Sequence, residues 1–95
     1  DPKGEQRMRD ARRWVHAHPE AFGWYKDNAR RECARTHDGK ASPNRCIYGM
    51  RIRFGIELPN HFAPYLARIA MEQDPSIRMR ISRSDADLHT TARLR

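Results

Sequence analysis

A stripe of mostly apolar residues between positions 22 and 36 is the pattern that most constrains the fold of this chain. They recur at intervals of three, four, four and three residues, the spacing of one face of an α-helix, and they are Phe22, Tyr25, Ala29, Cys33 and Thr36. Pro19 suits the first turn of such a helix, because the N–H that proline lacks has no partner there. The pattern therefore predicts a helix from Pro19 to about Thr36.

Helix signals also occur on both sides of this segment. Met8, Ala11 and Val15 have helical spacing in a basic segment, which predicts a short helix over 5–18. Ser42 is a good N-cap and Pro43 a good first residue, which predicts a helix over 43–50. We expect Asn60 to cap a fourth helix that runs to Gln73. Its predicted buried stripe is Phe62, Leu66, Ile69 and Ala70.

Two other segments alternate apolar and polar residues, as half-buried strands do. In the first, residues 48–51 fit either a helix or a strand, and we predict a strand over 51–58. In the second, Ile77, Met79 and Ile81 alternate with Arg78, Arg80 and Ser82. The predicted fold is therefore mainly α (α+β), with four helices and a small two-stranded β element, and helix-turn-helix-like. We expect one compact domain over 1–87 and a polar tail over 88–95.

The charge balance limits the choice of partners. Lysine and arginine total 19 against 12 acidic residues, which gives a net charge of +7 and a pI of about 10.2. Such a chain favours nucleic acid, an anionic surface or an acidic protein. A 95-residue chain also has a thin core, so a homodimer is expected to help stability.

Arginines occupy the outward positions of both predicted strands. If the strands pair, Arg51, Arg53, Arg78 and Arg80 share one face that would suit DNA phosphates. The alternative is that they form a solvated strand face. On the predicted helix over 43–50, Asn44 suits adenine, Arg45 suits guanine and Tyr48 suits a phosphate. A capped surface helix without a ligand shows the same pattern.

The sequence offers little for catalysis, metals, cofactors or membranes. It contains no nucleophile elbow, no glycine-rich phosphate loop and no motif of paired carboxylates, so we predict neither a catalytic residue nor a cofactor. Cys33 and His37 are four residues apart, but no second pair with ligand spacing follows, so no metal site is predicted. No apolar run is long enough to span a bilayer and no signal peptide is evident, which favours the cytoplasm.

The stretch FGIELPNHFAPYLARIAMEQDPSIRMRISRSDAD resembles a family of small, mostly uncharacterised proteins of bacteriophages and prophages of actinobacteria. The matching pieces are the apolar run into Asn60, the YLAR segment, Asp74-Pro75 and the RSDAD segment. The resemblance implies a phage origin and a helix-rich, helix-turn-helix-like fold. It also adds Arg83, a matching polar position, to the predicted nucleic-acid-binding residues.

A second resemblance concerns RIRFGIELPNHFAPYLARIAMEQ, which is similar to the strand and first helix of ribbon-helix-helix repressors. It implies that Arg51, Arg53 and Glu57 would contact the major groove from a dimer. The segment DPSIRMRI is longer than the usual connection in that family, so this architecture stays an alternative.

The function predicted from these features is that of a phage-encoded, small basic DNA-binding protein, regulatory and non-enzymatic, in the host cytoplasm. The alternative is a phage accessory protein that binds and modulates a host protein, with its arginines as interface anchors.

Overall fold

Four α-helices make up most of the part of the chain, residues 1–81, that the computed structural model describes. They are α1 (Pro2–Ala17), α2 (Pro19–Arg35), α3 (Pro43–Phe54) and α4 (Phe62–Gln73). Each helix packs against two others: α2 on α3, α3 on α4, α4 on α1 and α1 on α2. The prediction of a mainly helical fold with four helices is confirmed.

Caps and prolines place the first two helices. Asp1 caps α1 by accepting a hydrogen bond from the Lys3 N–H at 3.2 Å, so α1 begins earlier than the predicted residue 5. His18 separates α1 from α2, and its ring stacks on Trp14 with centroids 4.5 Å apart. Pro19 is the first residue of α2, as predicted. The two helices therefore join through one non-helical residue.

The predicted strand over 51–58 is wrong, because α3 continues to Phe54. Ile47 and Met50 are buried and Phe54 packs against the core, which is helical spacing, whereas the alternating pattern would also have buried Ile52. Gly55 ends the helix with a φ of 62°, a conformation that favours glycine, and its N–H donates to the Arg51 carbonyl at 2.8 Å. The C-cap at Gly55 therefore ends a helix at the place where the alternating pattern predicts a strand.

The alternation in the second predicted strand is present, but its partner is different. Ile77 and Met79 are buried, while Arg78 and Arg80 are exposed. This segment makes one isolated parallel bridge with Ala41, whose N–H donates to the Arg78 carbonyl at 2.8 Å. Within residues 1–81 there is accordingly no two-stranded element, and the ribbon required by a ribbon-helix-helix architecture is absent there.

Helix α4 contributes most to the core. Its buried residues include the whole predicted stripe and are Phe62, Ala63, Tyr65, Leu66, Ala67, Ile69 and Ala70. The predicted cap is wrong: Asn60 makes no side-chain bond to the helix, which begins at Phe62 after a turn closed by the Phe62 N–H and the Pro59 carbonyl. The Asn60 side chain instead accepts a hydrogen bond from Arg51.

Glu32 on α2 is a nearly buried carboxylate. It is only 6% exposed and pairs with Arg35, three residues later on the same helix. A nearly buried carboxylate needs such a partner, because desolvation of an unpaired charge is costly. In contrast, Asp27 on the same helix is exposed and pairs with Arg30.

None of the helices within residues 1–81 has the length and apolar character that a bilayer span requires. The predicted domain end at 87, the tail over 88–95 and the predicted site residue Arg83 lie outside the described residues.

Candidate nucleic-acid interface

Helix α3 presents an exposed surface made from most of the residues predicted to contact DNA. Asn44, Arg45 and Tyr48 are exposed, as expected for outward positions. Because α3 continues beyond residue 50, it adds Ile52 and Arg53, which are exposed too. We call these five residues the α3 face.

The opposite side of α3 holds the helix against the bundle. Cys46 and Met50 are completely buried, and Ile47 is 5% exposed. At Gly49 the helix comes close to α2, since a Cβ atom there would lie 3.1 Å from Cη2 of Trp24. Packing against the other helices therefore fixes the backbone of α3, and the α3 face is exposed on the side away from these buried residues.

The charge on α3 has one sign only. The helix contains three arginines and no acidic residue. Arg45 and Arg53 form no ion pair within residues 1–81. On α1, by comparison, Arg12 pairs with Glu72 at 2.9 Å and Arg13 lies 3.6 Å from Asp10. Within residues 1–81 the cations of the α3 face therefore have no internal carboxylate partner, whereas those two arginines of α1 do.

Arg51 does not belong to the α3 face. It is half-buried, and its guanidinium donates to the Leu58 carbonyl and, at 2.9 Å, to the Asn60 side chain. These hydrogen bonds, and not its angular position, set Arg51 apart from the exposed residues, while Arg53 lies about 100° further around the axis than Ile52 and forms the edge of the α3 face. Arg51 fixes the loop between α3 and α4 and is structural within residues 1–81.

We expect Arg51→Ala to lower the free energy of unfolding by about 1–2 kcal/mol, because it removes two hydrogen bonds from a charged donor. Urea unfolding monitored by circular dichroism measures this change. Arg45→Ala is the matched control: it removes the same charge from an exposed position and should change stability by less than about 0.5 kcal/mol. Equal midpoints for the two variants would contradict the structural role of Arg51.

Arg80 lies near the beginning of α3, in a cleft lined also by Ser42, Asn44, Pro64 and Ile81. Its guanidinium pairs with Asp38 at 2.8 Å, and the hydrogen bond from Arg80 lowers the pKa of that carboxyl. Arg80 therefore borders the α3 face, with much of its charge offset. Arg78 is exposed, and its backbone is held by Ala41 and by Cys33, whose Sγ lies 3.1 Å from the Arg78 carbonyl.

The predicted common plane of four guanidinium groups is wrong. Arg51 and Arg53 lie on different sides of a helix, and Arg78 and Arg80 belong to an extended segment that pairs with Ala41 instead. The prediction failed because it depended on pairing between two strands, and residues 51–54 form no strand. What the structure does bring together is the set Asn44, Arg45 and Tyr48.

The two cysteines are free thiols. Burial raises the pKa of Cys46 to about 11, and Nδ2 of Asn28 lies 3.7 Å from its sulfur. A thiol with such a pKa is a poor nucleophile at neutral pH, so Cys46 is a core residue. No group of three or more potential metal-ligating side chains exists in the described part of the chain.

Ile52 is the residue of this surface that sequence analysis missed. It was placed on the inner side of a strand, yet it is 64% exposed, and Tyr48, one turn earlier, is 63% exposed. The spacing of four from Tyr48 to Ile52, together with the helix stop at Gly55, was the signal that could have identified it.

Comparisons of the chain with protein-family models, curated proteins and solved structures found no match.

Proposed function

We propose that the protein is a small basic DNA-binding protein, regulatory and without catalytic activity, whose α3 face contacts duplex DNA. The observation that carries this proposal is the arrangement of Arg45 and Arg53, which are exposed and unpaired within residues 1–81 on a helix that has no acidic residue. Unpaired guanidinium groups bind phosphates and guanine edges well, because they offer several donors in a fixed plane.

The dimensions of α3 are suitable for the major groove. Twelve residues of helix extend about 18 Å, and the groove is about 12 Å wide, enough to admit a helix. Asn44 and Arg45 lie in the first turn, where side chains of groove-binding helices commonly contact bases. Within this proposal Asn44 binds adenine, Arg45 binds guanine, and Tyr48 and Arg53 are placed along the helix beyond them.

The remaining predicted residues take supporting roles in this proposal. Arg78 and Arg80 lie near the beginning of α3 and add positive charge beside the groove, with Arg80 partly offset by Asp38. Arg83 stays a prediction. A phage origin, action in the host cytoplasm, a homodimer and a helix-turn-helix mode of binding are likewise part of the proposal and rest on the sequence.

A second candidate function is binding to an acidic surface of a host protein. The specific observation that favours it is the exposure of Tyr48 and Ile52 beside the arginines, because aromatic and arginine residues are enriched in protein interfaces. In that case a host protein would cover the same α3 face.

An electrophoretic shift assay with random-sequence duplex DNA over a salt series tests the first proposal. We expect binding that weakens with salt, and neutralisation of about five phosphates predicts a slope of about −4 to −5 in log affinity against log salt. A pull-down from nuclease-treated host lysate separates the alternative. Absent or salt-insensitive DNA binding, with stoichiometric retention of one host protein, would favour the second function.

A further inference from the structure

The two most exposed large apolar side chains within residues 1–81 lie in the middle of the α3 face. Tyr48 is 63% exposed and Ile52 is 64% exposed, and a spacing of four places them side by side on the helix. Arg45 precedes this pair in the chain and Arg53 follows it. Along the helix axis the apolar pair therefore lies between two cations that have no ion pair within residues 1–81, with Arg53 about 100° further around the helix than Ile52.

These side chains are not explained by phosphate binding. An isoleucine has no hydrogen-bond donor and gains nothing from an anion, but it gains free energy wherever it covers another apolar surface. The major groove of DNA offers one such surface, the 5-methyl group of thymine, which no other unmodified base carries. The major groove of duplex RNA is too narrow for side chains to reach the bases.

A second copy of this chain is a less suitable occupant. A symmetric contact between two α3 helices would bring Arg45 and Arg53 of both copies together, and α3 supplies no carboxylate to offset them. Like charges brought together in an interface are destabilising. Charge complementarity therefore favours a partner that carries both negative charge and apolar groups, and thymine-containing DNA, the partner of the first proposal, meets both requirements.

We propose that Ile52, with Tyr48 beside it, contacts thymine methyl groups in the major groove, so that the α3 face prefers thymine-containing duplex DNA over the same duplex without the methyl groups. This inference rests on the proposed DNA-binding function and deepens it. It assigns to Ile52 a part in base selection, while Arg45 and Arg53 supply the affinity that depends on salt.

The test uses two alternating duplex polymers, one of adenine and thymine and one of adenine and uracil on the same deoxyribose backbone. They differ by the methyl group alone. We expect the protein to bind the thymine polymer about fourfold more tightly for each methyl covered, the ratio that about 0.8 kcal/mol per buried carbon group gives. Ile52→Ala should lose most of this preference, because only Tyr48 then remains to cover a methyl group.

Arg45→Ala is the matched control for Ile52→Ala. It should weaken binding to both polymers by a similar factor and keep the preference for thymine, since it removes charge and leaves the apolar pair in place. Because Ile52 and Arg45 are both exposed, neither change should affect folding, and circular dichroism verifies this.

The outcomes are distinguishable. Failure to bind either polymer would overturn the proposed function itself. Equal binding of the unaltered protein to both polymers, or an equal loss on both for Ile52→Ala, would overturn the methyl contact alone. A dimer in sedimentation that Ile52→Ala converts to monomers would assign the apolar pair to a second copy and also overturn the inference.

Discussion

Replacing Arg45 and Arg53 together by alanine should weaken binding to random-sequence duplex DNA, and more so at low salt. The factor by which affinity falls should be about 60 times larger at 0.1 M salt than at 1 M salt. Random-sequence DNA offers Arg45 no fixed guanine, so there Arg45 and Arg53 are each expected to contact a phosphate. Each phosphate contact contributes about 0.9 to the slope of log affinity against log salt, so two lost contacts reduce the slope by about 1.8. Fluorescence anisotropy with a labelled duplex over a salt series measures both the affinity and the slope.

The control for this double variant is Arg9→Ala combined with Arg13→Ala on α1. It removes the same charge from exposed positions, on a helix that packs against α2 and α4 as α3 does. A general attraction between a basic protein and DNA would be weakened equally by both double variants. The proposal requires the α3 variant to lose much more affinity than the α1 variant. Equal losses would contradict DNA binding by the α3 face.

Leu66→Ala should lower the free energy of unfolding by about 3 kcal/mol. Leu66 on α4 is completely buried, and α4 packs against both α1 and α3. Truncation removes apolar contacts and leaves a cavity that the surrounding helices fill only partly, which is why such changes are costly. A domain of this size has only about 5–15 kcal/mol in total, so the loss is a large fraction of its stability.

Urea unfolding measures the effect of Leu66→Ala, with Ile52→Ala as the control. Both changes shorten an aliphatic side chain, but Ile52 is 64% exposed and should cost less than about 0.5 kcal/mol. The same midpoint of urea unfolding for both variants would contradict the placement of Leu66 in the core.

The sequence predicted helices best where a cap and an apolar stripe agreed. Pro19 and the stripe from Phe22 onward specify α2, and Ser42 with Pro43 specifies the beginning of α3. These signals are local, because a cap acts on backbone groups within a few residues. Their physical cause is therefore contained in a short stretch of chain.

Where two periods competed, the sequence alone did not decide. Residues 48–51 fit alternation as well as helical spacing, and residues 51–58 were predicted as a strand. The deciding features were the αL conformation of Gly55 and the fit of Met50 and Phe54 into the core. Packing against α2 and α4 is a tertiary effect that overrides local preference. The error also misplaced Ile52 and Arg51.

The roles of individual charges depended on partners distant in the chain. Arg51 is held by Asn60 and the Leu58 carbonyl, and Arg80 by Asp38, which is 42 residues away. Spacing cannot identify such pairs, because they form only when the loops and helices have been placed. The outward positions of Asn44, Arg45 and Tyr48, by contrast, followed from helical periodicity around a correctly predicted start.

The most direct test of the central claim is a map of backbone amide chemical shifts as duplex DNA is added to the isotope-labelled protein. We expect the largest changes to fall on residues 44–53 and to decrease as salt is raised. Changes centred on α1, or no changes at a salt concentration of about 0.1 M, would contradict the assignment of DNA binding to the α3 face.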